Sequence, residues 1–177
     1  SFYSTIDGVD SYWCVIDKCY VPIPSSSKEI KYSRQVNNGK MIKHHWSASI
    51  IDLGDDVAGI NLHSILKADL NPIDGSMLET IYSAREWVEN NNYKGLVISS
   101  DSVNFCAGAN LTLILNSAYR KDWDELDRTV RIMQNILQTL RYAPFPVVAA
   151  PFGLVLGGGF ETIAACDRIV AASESYI

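Results

Sequence analysis

The sequence predicts an α/β fold of layered strands and helices, and three observations carry that prediction. Short apolar runs bounded by turn residues recur at Trp46–Leu53, Val57–His63, Lys94–Ser100 and Pro146–Pro151. Between them, at Ser76–Glu89 and Asp122–Arg141, apolar residues fall every three or four positions. The two periodicities alternate along the chain instead of segregating, which fits a layered α/β fold and neither a helical bundle nor a β-sandwich.

The elements follow in chain order. The segment to about Arg34 mixes aromatics (Phe2, Tyr3, Tyr12, Trp13, Tyr20, Tyr32) with VPIPSSSKE, whose prolines and serines read as a linker. Trp46–Leu53 and Val57–His63 flank LGDD, a turn signal, and form a hairpin. Ser76 and Glu79 have the spacing of a capping box, opening a helix to about Glu89 with Met77, Ile81, Ala84 and Val88 on one face. KGLVISS at 94–100 is a strand, and DSVNFCAGAN after it is a small-residue loop leading into a short helix. Asp122–Arg141 is a long helix whose stripe of Trp123, Leu126, Val130, Met133, Leu137 and Leu140 reads as core or subunit contact rather than as a ligand box. PVVAAP at 146–151 is a buried strand, and Gly157, Gly158 and Gly159 then lead into a helix carrying Glu161 in its first turn.

Composition narrows the function. The chain has 177 residues, 47% of them hydrophobic, and a net charge of −5, which argues against a nucleic-acid partner. Residues 1–45 hold six Lys/Arg and four Asp/Glu, whereas residues 46–177 hold nine and sixteen, so a domain boundary is expected near 45. No apolar run approaches the roughly 18 residues of a membrane span. Cys14, Cys19, Cys106 and Cys166 have neither disulfide-framework nor zinc spacing and read as reduced thiols of a cytoplasmic protein, with no metal site. His63 ends an apolar alternation and reads as a hydrogen-bonded strand-end residue. Cys106 has no His or Asp placed in sequence to make it a nucleophile.

Three successive glycines let main-chain N–H groups approach a ligand, and at a helix N-terminus those groups favour negative charge. The spacing is not that of a nucleotide loop. The third position of a G-x-G-x-x-G pattern is Thr162, and no Lys-Ser/Thr follows the glycines.

NFCAGANL at 104–111, followed by FPVVAAPFGLVLGGGFE and CDRIVAASESYI, closely resembles the crotonase (enoyl-CoA hydratase/isomerase) superfamily. IIDLGDDVAGINLHSILKADLNP resembles that family's first hairpin and acyl-CoA loop. The likeness covers about Ser47 to Ile177, and within the family it is to the hydratase part of fused 3-hydroxyacyl-CoA dehydrogenase/enoyl-CoA hydratases. Phe2–Tyr20 resembles the closing piece of such a dehydrogenase. The resemblance implies a crotonase-like ββα spiral fold, incomplete at the C-terminus, with residues 1–45 as a leader or linker and 46–177 as the first part of an acyl-CoA domain.

It also implies a site. The main-chain N–H groups of Ala109 and Gly158 would form an oxyanion hole, and Glu161 would be the first catalytic acid, its pKa raised by apolar surroundings such as Phe160 and Ile163. Lys67, Ala68, Ala107, Gly108, Leu111 and Gly157 would contact an acyl-CoA substrate, with coenzyme A entering as part of that substrate and no separate cofactor. Asn110 stands where many members carry Asp. The second acid of the hydratases is expected beyond Ile177, together with C-terminal helices that complete the pocket and pack a trimer-based homo-oligomer, so apolar surface should be left uncovered. The activity implied is hydration of 2-enoyl-CoA in fatty acid β-oxidation. Isomerisation, thioester hydrolysis, or a non-catalytic acyl-CoA-binding or subunit module are the alternatives.

Overall fold

A computed structural model describes residues 3–23, 31–65 and 67–177. The chain divides into two compact units at Ile30/Lys31. The charge shift at Trp46 therefore falls inside the second unit. Most of the serine-rich linker expected at 21–29 lies outside the described residues.

The first unit is a three-stranded antiparallel meander, β1 (Tyr3–Ile6), β2 (Val9–Cys14) and β3 (Cys19–Pro22), paired in the order β1-β2-β3. Asp7 and Gly8, both at positive φ (51° and 79°), make the tight turn between β1 and β2. Asp-Gly is a strong hairpin signal because both central positions of a type I′ turn need positive φ, and the sequence reading passed over it. Trp13 meets Tyr20 edge to face at 5.2 Å across the β2–β3 pair.

The second unit is built on a six-stranded sheet. A short helix α1 (Tyr32–Asn37) leads into β4 (Met41–His44), β5 (Ala48–Gly54) and β6 (Val57–Leu62), an antiparallel run. Helix α2 (Gly75–Asn90) crosses to β7 (Gly95–Ser99), which pairs parallel with β6. A two-residue strand β8 (Cys106–Ala107), helices α3 (Leu111–Tyr119) and α4 (Trp123–Arg141), and β9 (Val147–Ala149) follow. The described chain closes with β10 (Val155–Leu156), α5 (Gly158–Ala164) and β11 (Arg168–Ile169). The sheet order is β11-β9-β7-β6-β5-β4, and β10 pairs with β8 in a separate parallel ribbon. This is the α/β architecture expected, with the hairpin, helix and strand boundaries within two residues of the sequence reading.

The core lies between this sheet and α2. Ile50, Ile60 and Ile98 are fully buried, as are Met77, Ile81, Ala84 and Val88 of the α2 stripe. Capping differs from expectation. Asp74, not Ser76, caps α2: its carboxylate accepts from Met77 N at 2.9 Å and from Ser47 Oγ at 2.5 Å. Ser76 Oγ instead accepts from Ser47 N at 3.2 Å, holding the start of β5. An ionised Asp is a full acceptor for free helix N–H groups, so it takes the cap two residues before the S-x-x-E pattern. His63 behaves as expected, bonding through Nε2 to Ser49 Oγ at 2.7 Å. No helix among the described residues is long and apolar enough to cross a membrane.

Candidate active site

The site forms where the β8–β10 ribbon ends. The ribbon is parallel, with Val155 opposite Cys106 and Leu156 opposite Ala107. Counting on by two residues along each strand puts Ala109 opposite Gly158, so the two amides expected as an oxyanion hole leave the same ladder side by side. A Cβ added to Gly158 would lie 3.6 Å from Ala109 N. Ala109 N donates to no backbone carbonyl among the described residues, and Gly158 N, at the first position of α5, has none either. Buried backbone donors are nearly always paired, so two adjacent free ones at a cavity wall are a place for an acceptor.

Two glycines make this geometry possible. Gly157 turns the chain into α5 at φ 49° and ψ −115°, a conformation that a side chain would strain. Gly159 allows contact of another kind. A Cβ there would overlap the Cys106 carbonyl and lie 2.9 Å from Cys106 Cβ, so the helix can rest on β8 only while this position is bare.

On the other strand, Gly108 has φ 95°, and Asn110 caps α3 by accepting from Thr112 N at 3.2 Å. Asn110, where the family resemblance implies Asp, thus serves here as a helix cap.

A cavity of about 750 Å³ opens over these amides, and Ala107, Gly108, Ala109, Leu111, Gly157, Gly158 and Glu161 all line it. Lys67 and Ala68 do not. They sit on an exposed turn in which the Lys67 carbonyl accepts from Leu70 N and Asn71 N. Glu161 lies one turn into α5, its N–H bonded to the Gly157 carbonyl at 2.9 Å. The apolar enclosure expected around it is not formed: Glu161 is exposed, Phe160 is 48% exposed, and Ile163 points into the core, fully buried. Position on the outer face of a two-turn helix, not residue type nearby, decides that outcome.

The stripe on α4 splits between two roles. Leu140 is buried in the core and Met133 and Leu137 pack against it, as the core reading expected, while Val130, Met133 and Leu137 also line the cavity. Gln134, Gln138 and Arg141 join them from the same helix. Helical periodicity identified the face but could not say that part of it overhangs a cavity. Leu111, Leu115, Tyr119 and Trp123 are each more than half exposed.

Burial pushes the Cys106 thiol up to about 11, so it is no ready nucleophile. Among the described residues no group of three His, Cys, Asp or Glu is placed to hold a metal ion.

Residues 54–177 match a family model described as enoyl-CoA hydratase/isomerase. The chain belongs to the enoyl-CoA hydratase/isomerase family. Among curated relatives it is 39% identical over 158 residues to the "Probable 3-hydroxyacyl-CoA dehydrogenase" of Bacillus subtilis (strain 168), covering 89% of this chain and 19% of that protein. It is 33% identical over 86 residues to the "Fatty acid oxidation complex subunit alpha" of Psychrobacter sp. (strain PRwf-1), covering 49% of this chain and 12% of the relative. The chain thus spans a fifth or less of the length of these two relatives. Among solved structures, an enoyl-CoA hydratase from Polaromonas sp. JS666 superposes with a TM-score of 0.64 at 26% identity, over 72% of this chain and 49% of that one. The family match begins at Gly54, inside the first hairpin, and takes in both motifs that build the cavity.

Proposed function

We propose that this chain is the hydratase part of a larger β-oxidation protein, adding water across the double bond of a 2-enoyl-CoA to give the 3-hydroxyacyl-CoA. The observation that carries the reading is the pair of free amides, Ala109 N and Gly158 N, beside Glu161 in one cavity. As the water oxygen bonds to Cβ, the former π electrons move onto the thioester, and its carbonyl oxygen takes negative charge. Fixed N–H donors aimed at that oxygen are worth about 10²- to 10³-fold in rate each. Glu161 accepts the proton leaving the water, and a proton delivered to Cα completes the addition. Glu161, the one acid lining the cavity among the described residues, holds the proton taken from the water, and its return to Cα balances the addition.

The fused dehydrogenase belongs to the proposal through the relatives' names; a cytoplasmic setting and association into homo-oligomers belong to it through the family resemblance alone. A dehydrogenase acting on 3-hydroxyacyl-CoA would consume the product formed here.

The test is hydration of a short 2-enoyl-CoA by the full-length protein, followed by loss of the conjugated thioester absorbance. Glu161→Gln should abolish turnover while acyl-CoA binding persists. Conversion of a 3-enoyl-CoA without hydration would reassign the site to isomerisation. Unchanged turnover in the variant would remove Glu161 from the mechanism.

A further inference from the structure

An oxyanion hole works only if its donors cannot follow the oxygen's charge by relaxing, and Ala109 lies outside regular secondary structure. Its position is set by the segment 70–73. Ala107 N donates to the Leu70 carbonyl at 2.8 Å, Ile73 N to the Gly108 carbonyl at 2.8 Å, and Asn110 N to the Ile73 carbonyl at 3.1 Å. The residues on both sides of Ala109 are therefore clamped, and its own amide is left free.

At the centre of the clamping segment stands Asn71, with no exposed surface and a left-handed φ of 50°. Its carboxamide oxygen accepts from Ser64 N at 2.7 Å. Its nitrogen donates to the Phe105 carbonyl at 2.7 Å and reaches the Leu62 carbonyl and Ser100 Oγ at 3.2 Å each. One planar group thus joins the ends of β6 and β7 to the residue just before β8. Three carbonyl acceptors, those of Leu62, Phe105 and, at 3.4 Å, Asn104, face the nitrogen and one N–H donor faces the oxygen, so neither Asp nor a flipped amide satisfies the set.

We propose that Asn71 is a positioning residue of the oxyanion hole: it touches no substrate, but it fixes the β8 loop so that the Ala109 amide holds its aim. The inference rests on the oxyanion reading above. A displacement of about 1 Å in a catalytic group can cost on the order of 10²-fold, and the Asn71 bond to Phe105 lies four residues before the donor.

The test is made in the full-length protein with Asn71→Gly, which accepts positive φ without strain, and with Asn71→Asp, which keeps the acceptor for Ser64 N and loses both donors. Three quantities are read: kcat, KM, and the infrared C=O stretch of a bound, carbonyl-labelled acyl-CoA. Wild type should show the stretch lowered from its value in free thioester. Both variants should lose about 10- to 100-fold in kcat with little change in KM, and the stretch should move back toward the free value. Ser100→Ala is the control, because it removes one partner of the same network but leaves the Phe105 bond intact. It should lower thermal stability without moving kcat or the stretch.

Asn71 variants that melt earlier yet keep wild-type kcat per folded molecule and an unmoved stretch would overturn the inference. So would failure of both variants to fold, which would make Asn71 a folding residue. A wild-type protein whose bound thioester shows no shift would instead strike at the oxyanion reading itself.

Discussion

Replacing Gly159 by alanine puts a methyl group inside the Cys106 carbonyl, 2.9 Å from Cys106 Cβ and 3.1 Å from its carbonyl carbon. All but one of those atoms are backbone, so no side-chain rotation relieves the clash. Ordinary C···O separations begin near about 3.3 Å, and reaching that value requires a shift on the order of 1 Å between α5 and β8. Overpacking of this size costs about 1–3 kcal/mol, or a melting-point drop of roughly 2–4 °C per kcal/mol in a chain of this length. The catalytic effect should be larger. The Gly158 amide moves with α5, away from Ala109, and losing one donor costs about 10²- to 10³-fold. The expected result for Gly159→Ala is a melting point a few degrees lower and a hydratase kcat down about 100-fold, measured by thermal denaturation and the enoyl-CoA assay on one preparation. An active enzyme with unchanged melting would refute the close seating of α5 on β8.

Asp74→Ala should cost about 1–2 kcal/mol by denaturant titration, and Ser76→Ala distinctly less, because Asp74 is the cap of α2. The Cys106 and Cys166 thiols are pushed up to about 11 and about 12 by burial, with Asp167 adding to the second. At pH 8 a disulfide reagent should therefore label Cys14 and Cys19 first, as mass mapping can check. Burial lowers the His63 pKa from its ordinary 6.5, so the native state binds its proton less readily than the unfolded chain does. Its stabilising contribution is full above about pH 6.5 and is lost as pH falls from there toward the folded value. His63→Gln should flatten that slope in urea titrations between pH 7 and 5.

Much of the fold is legible in the sequence because period and punctuation agree. Val57–His63 and Lys94–Ser100 are apolar runs that can be buried only as strands, and LGDD turns the first hairpin through Asp55 and Asp56, both at positive φ. The glycine motifs that line the cavity are legible for a different reason: glycines at 108 and 157–159 have no use in an ordinary helix or strand. What stayed hidden depends on three-dimensional neighbours. Asn71 looks like any loop asparagine until Ser64, Phe105 and Ser100 surround it. Met133 and Leu137 carry the same helical signal as Leu140, and only the fold decides which of them faces empty space. Glu161 shows the converse, since its apolar sequence neighbours give no measure of its enclosure.

The shared register of β8 and β10 also sets a count. The two strands end at Ala107 and Leu156, and two residues further on in each chain segment stand Ala109 and Gly158, close enough that a Cβ at 158 would lie 3.6 Å from Ala109 N. One oxygen about 2.9 Å from each amide would be held by two main-chain donors at once. Sequence drift at positions 107, 109 or 156 should therefore be tolerated, whereas inserting one residue in either strand end would slide one amide by half a pleat and turn it away. For the engineer the site is length-coded: apart from Gly157, Gly159 and Asn71 its composition can be rewritten, but its residue count cannot.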